Sequence, residues 1–191
     1  MKPVYLLLAV LTLSFSGKAQ DQLPYYELPE YPETYTAGSV AARMIDGLGF
    51  RLYWATEGLR KEDLNFKPNA EARTALETLD HIYALSQVIV NATKHQVNET
   101  GNKKDMSWEE KRKQTLLNLK TAADILRNAE DLSVFLLDFG SAQYPFWNAI
   151  NGPIADAIWH CGQLASFRRS SGNPFSAKVS LFHGKVMEKN R

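Results

Sequence analysis

The sequence predicts an all-α protein: a four-helix bundle with an N-terminal signal peptide and extended tails. Three observations predict it. Four stretches repeat apolar residues at three- and four-residue steps, the period of one helix face. No clear strand alternation runs between them. The single cysteine among 191 residues, Cys161, excludes a disulfide scaffold and a thiolate zinc finger, so stability must come from an apolar core. A chain of this length can bury one. A hydrophobic content of 45% and a charged content of 23% are those of an ordinary globular protein. The net charge of +1 gives no pull toward nucleic acid, so none is expected as a partner.

Residues 1–19 read as the signal peptide. Met1-Lys2 is a short positive start, Val4 to Phe15 an apolar run, and Gly17 and Ala19 small residues placed for cleavage after Ala19. The run is too short to span a membrane comfortably, and no cysteine comes after it that could carry a lipid. The mature chain is expected to start at Gln20, without an integral membrane span, and to be exported to the bacterial periplasm or beyond.

Residues 20–36 form a Pro/Tyr-rich linker, since Pro24, Pro29 and Pro32 break any helix. The bundle domain is expected over 37–174. Its first helix runs from about Ala37 to Arg60, with Met44, Leu48, Leu52, Ala55 and Leu59 as its stripe. Gly47, Gly49 and Gly58 interrupt it at points of close helix contact. Lys61 to Asn69 breaks the pattern, with Pro68 as the stop. The second helix runs from about Ala72 to Lys94 along Leu76, Leu79, Tyr83, Ser86 and Val90. A polar loop, Gln96 to Met106, precedes a third helix that opens on a Ser107/Glu110 capping box and runs to about Asp131. Residues Asp138 to Asn151 form a long connection whose aromatics cover one end of the bundle. The fourth helix spans about Gly152 to Ser170, with Asn151 as its cap and Pro153 in its first turn. Gly172 and Pro174 end it. The tail, 175–191, packs on the bundle in extended form.

Two helices carry a carboxylate and, four residues on, a histidine. On the last helix these are Asp156 and His160, with Gln163 continuing the face; on the second they are Glu77 and His81. Side chains at that spacing leave one face a turn apart. Such a pair can begin a metal site, form an acid/base couple, or be a surface ion pair or a satisfied core histidine. Cys161 points about 100° away from His160 around the helix and reads as a small buried hydrophobe. His95 lies about 21 Å along the helix from His81, too far to share an ion.

The Leu79-Asp80-His81-Ile82 segment, the Asp156-x3-His160-x-Gly162-Gln163 segment and Phe66-Lys67-Pro68 together resemble the DinB-like superfamily; Phe167-Arg168-Arg169 and Gly172-Asn173-Pro174 resemble one branch of it. The resemblance covers roughly 37–174. It implies a four-helix bundle that holds a divalent metal through three histidines, one from the second helix and two from the last. His81 and His160 match two of those positions, and Asp156 stands at the third. A two-histidine, one-carboxylate set suits zinc or nickel, with iron or manganese as alternatives. Glu77 would then be a fourth ligand, a partner orienting His81, or a general base; Gln163 would hold a water at the metal or pack. Arg168 and Arg169 would grip an anionic substrate or favour the negative end of their own helix. Characterised relatives include thiol-dependent transferases and isomerases.

Two function classes are compatible with these features. One is a metal-dependent hydrolase or thiol/group transferase acting on a small molecule, with Glu77 or Asp156 as base. The other is a non-catalytic metal-binding or interaction module of the cell envelope. An open coordination position favours the first, a closed four-ligand site the second. A small-molecule substrate and a second copy of the chain, in a homodimer, are the expected partners.

Overall fold

The structure, a computed structural model, describes residues 22–99 and 105–188; the expected signal peptide and its cleavage site lie outside them. Among the described residues four helices are long: α1 (Ala37–Thr56), α3 (Ala75–Thr93), α4 (Trp108–Arg127) and α6 (Ala155–Ser170). Two are single turns, α2 (Lys61–Leu64) and α5 (Phe146–Ala149). α1 packs against α4 and α6, and α3 packs against the same two, so each long helix has two long neighbours. Their apolar faces meet in one core around Ile45, Leu48, Leu52, Ile82, Ile89, Leu116, Leu119 and Leu164, all fully buried. Each such side chain contributes roughly 1.5–3 kcal/mol by leaving water. No helix among the described residues is long and apolar enough to cross a membrane.

Helix starts obey local capping chemistry. Thr36, Thr74 and Ser107 each accept a hydrogen bond from the backbone N–H three residues on, and Ser39, Glu77 and Glu110 return it. Three expected boundaries are corrected, the end of the third helix among them: α4 stops at Arg127 rather than near Asp131, because Asn128 leaves helical geometry. α3 begins at Ala75 rather than Ala72 because Thr74 is its cap. α1 stops at Thr56 rather than Arg60, because Glu57 is extended and Gly58 turns the chain at φ +68°. The face that α3 buries also differs: Ala75, Thr78, Leu79, Ile82, Ser86, Ile89 and Val90 point inward, while Leu76 and Tyr83 stay partly exposed. His81 thereby sits at the edge of the buried face.

The expected long connection before the last helix is more ordered than its composition suggests. It contains a hairpin, β1 (Leu136–Asp138) against β2 (Gln143–Pro145), with Leu137 opposite Tyr144. The Asp138 carboxylate closes the turn by accepting from the Gly140 N–H and the Gln143 amide. α5 comes at once, then a wide helical turn over Ile150–Ile154 in which Gly152 leaves helical geometry (φ −94°, ψ −105°) and Pro153 contributes no N–H. So α6 starts at Ala155, not Gly152, and no Asn151 side chain caps it. The kink aims the first turn of α6, which carries Asp156, at α3.

The Pro/Tyr-rich segment is seated on α1. The Arg43 guanidinium donates to the Pro29 carbonyl at 2.7 Å and the Trp54 indole to that of Tyr26 at 3.1 Å. Tyr25 is buried at φ +75°, and its ring lies so close to Gly49 that any Cβ there would overlap it. Gly49 therefore marks a close contact, with this arm. The tail forms a second hairpin, β3 (Val179–Ser180) with β4 (Lys185–Val186), and Leu28 donates its N–H to the Gly184 carbonyl.

Asp63 locks the far end of the molecule. Its fully buried carboxylate accepts from the Arg60 backbone and guanidinium, from the Ser171 hydroxyl and from the Asn173 amide. The Arg60 hydrogen bonds, helped by those of Ser171 and Asn173, hold its pKa far below the usual carboxylate range. A depressed folded-state pKa contributes stability that is complete above the unfolded value, near 3.9, and lost as pH falls toward the folded one. Asp63→Asn is therefore expected to destabilise by about 1.5–3 kcal/mol at pH 7. The difference from wild type should shrink as pH drops below about 4. Urea midpoints at pH 7 and pH 3 check this; a pH-independent gap would show that the charge is not what holds the junction.

Candidate metal centre

α3 and α6 bring three potential ligands together. The Nε2 of His81 lies 3.0 Å from Asp156 Oδ2, and the Nε2 of His160 lies 3.3 Å from Asp156 Oδ1. The two imidazoles meet edge to face with centroids 4.8 Å apart. One donor atom from each of the three residues falls within 4.8 Å of the others. Bonds of about 2 Å would place the donors of a shared ion within roughly 4 Å of each other, so a slight side-chain adjustment would bring these three into range. Asp156 also occupies the first turn of α6, where the positive end of the helix favours a carboxylate.

Gln163 completes the arrangement from behind. Its Oε1 lies 2.6 Å from His160 Nδ1; an amide oxygen can only accept, so this contact suits the tautomer with the proton on Nδ1 and the lone pair on Nε2. That lone pair faces a carboxylate oxygen. Two electron-rich atoms at 3.3 Å call for a positive centre between them, a proton or a cation. An N, N, O donor set with one ligand fixed by an outer hydrogen bond fits a divalent first-row metal. The side chains of His81 and Asp156 are 34% and 40% exposed and that of His160 14%, so the centre opens on solvent.

Compared with known proteins, the chain matches no family model, no curated protein and no solved structure.

Apart from Gln163, the other residues singled out from the sequence serve elsewhere. The exposed Glu77 accepts from the Thr74 N–H at 2.7 Å and the Thr74 hydroxyl at 2.9 Å, and these bonds lower its pKa. It is occupied as a helix cap and does not join the three-residue cluster. The Thr74-x-x-Glu77 capping signature is a signal present in the sequence itself. Gln163 touches His160, which makes it a positioning residue rather than one aimed at a reacting group. Arg168 is buried and donates to the carbonyls of Trp54, Ala55, Glu57 and Asn173. It closes the C-terminal end of α1 and is not exposed to a substrate. Arg169 is exposed beside the Phe175 ring. Both stand at the opposite end of α6 from Asp156, roughly 18 Å along its axis. Arg112 has no signature in the sequence beyond a cation on a solvated face; it donates to the Thr56 hydroxyl and the Tyr53 carbonyl and so seals the same end of α1. Burial pushes the Cys161 thiol up to about 12, which leaves it inert at neutral pH. His95 stacks on Phe135 away from the centre.

Proposed function

We propose that this protein is an exported, DinB-like four-helix bundle that binds one divalent metal, zinc or nickel foremost, through His81, Asp156 and His160, and uses it in hydrolysis or thiol/group transfer on a small molecule. The observation that carries the reading is the pairing of Asp156 with two imidazole nitrogens while Gln163 fixes the tautomer of one of them. The order of the four long helices and their mutual packing fit a bundle with ligands on facing helices. The DinB-like assignment rests on the motifs around His81 and from Asp156 to Gln163, and export on the leading run ending at Ala19.

When bound, the metal would supply a Lewis acid that polarises a carbonyl or activates a water or thiol. The chain's own residues do the rest. His160, held by Gln163, presents a fixed nitrogen. Asp156 neutralises part of the ion's charge and links the two imidazoles, one through each of its oxygens. Three ligands and a solvent-facing side leave room for a reactant, which favours a catalytic centre over a closed structural one.

Calorimetric titration of tag-free protein with zinc and with nickel tests this. One ion per chain is expected, with affinity that weakens in acid because histidine ligates as the neutral base. Absence of binding to both metals would overturn the reading.

A further inference from the structure

Trp159 is 73% exposed on α6, although a packed tryptophan removes more apolar surface from water than nearly any other residue. Its position gives that exposure a purpose. Asp156 precedes it by three residues and Gln163 comes four after it, so both are its neighbours on the helix surface. Helical side chains lean toward the N-terminus, which carries the indole over the turn that holds Asp156. On its other flank stand Ala155 and Gly162, and a Cβ on Gly162 would meet nothing within 4 Å. The chain thus leaves the indole uncovered, with open space over Gly162, beside the candidate metal centre. The centre itself opens outward: His160 is its covered member, and His81 and Asp156 are its exposed ones.

Charge narrows the ligand. A divalent ion held by two neutral imidazoles and one carboxylate keeps a net charge of about +1, so an approaching donor should be anionic or neutral. Resting on the metal-centre reading above, we infer that Trp159 is a specificity-determining residue, a platform for the substrate. The substrate class is a small molecule with an oxygen or sulfur donor joined to a flat apolar group. The donor reaches the centre while the flat group lies on the indole.

Hydroxamates probe this directly, because they anchor on zinc through two oxygens and differ only in the group attached. The zinc-loaded full chain, as wild type, Trp159→Ala and Trp159→Phe, is titrated calorimetrically with acetohydroxamate and with benzohydroxamate. Wild type should prefer the phenyl compound by about three- to tenfold, the worth of one aromatic stacking pair. Trp159→Ala should lose that preference while binding zinc and acetohydroxamate as before, and Trp159→Phe should keep most of it. An unchanged preference in the zinc-loaded alanine variant overturns the role of Trp159 alone. Failure of wild type to take up zinc overturns the metal-centre reading beneath it. Sedimentation that shows a wild-type dimer dissociated by Trp159→Ala would give the indole to a self-interface and overturn the platform.

Discussion

His160→Ala is expected to abolish measurable binding of zinc and nickel while leaving the helical circular dichroism signal intact. His160 contributes the least exposed donor of the three and the only one whose outer nitrogen is fixed by a hydrogen bond. Loss of an outer partner alone commonly weakens metal binding 10–100-fold. Gln163→Leu should fall in that range, and loss of the ligand should exceed it, by at least about a hundredfold. Asp156→Asn should weaken binding too, since it removes the only anionic donor. The fold should survive all three changes because the core lies in the apolar faces of the long helices, and the bound ion adds stability only by mass action. Calorimetric titration alongside circular dichroism is the measurement. An unaltered affinity in His160→Ala would return that residue to the role of a satisfied histidine at a helix interface. A collapsed helical signal would make it structural.

The parts of this centre that were legible in the sequence are those encoded within one helix. Asp156, His160 and Gln163 share α6, and helical spacing alone places them on one face. His81 lies 75 residues before Asp156, so helical spacing could not connect them, and its place in the expected ligand set came from the resemblance around Leu79-Asp80-His81-Ile82. The same spacing rule misled at Glu77. Two local signals overlap there, a carboxylate four residues before a histidine and a carboxylate three residues after a threonine, and the capping geometry prevailed. The rule that located the cap of α4 at Ser107 and Glu110 applied equally at Thr74. Segments whose structure depends on distant partners were the ones misjudged. The arm around Tyr25 is ordered by Gly49, Arg43 and Trp54 of α1, and nothing in its own composition says so. Arg168 is the sharpest case. On its own helix it looks like an ordinary cation near a C-terminus, while three of the four carbonyls it serves belong to residues more than a hundred positions earlier.

That dependence makes Arg168→Met the substitution with the largest expected cost to stability. The end of α1 presents carbonyls that no residue of α1 can satisfy. Arg168, 3% exposed, donates Nη1 to Trp54 at 2.9 Å and Glu57 at 3.0 Å, and Nε to Asn173 at 2.6 Å. One planar guanidinium thus ties α1 to the segment after α6. Methionine fills similar volume but offers no donor, so several buried acceptors lose their partners at about 1–3 kcal/mol each. Some carbonyls recover water or lean on Arg112, which leaves a net loss of roughly 3–5 kcal/mol, a third or more of an ordinary folding stability. At about 2–4 °C per kcal/mol for a chain of this size, Tm should fall by roughly 6–20 °C. Lysine should rescue little, because a point charge with a flexible stem cannot reach the carbonyls in the fixed fork that arginine provides. Arg169→Met, on the exposed side, should stay within about 0.5 kcal/mol of wild type. Zinc affinity in Arg168→Met, measured well below its Tm, should equal that of wild type, since the proposed ligands on α6, Asp156 and His160, lie roughly 18 and 12 Å away along the helix. Unchanged Tm with lost binding of small anions would reverse the assignment and make Arg168 a substrate-gripping residue after all.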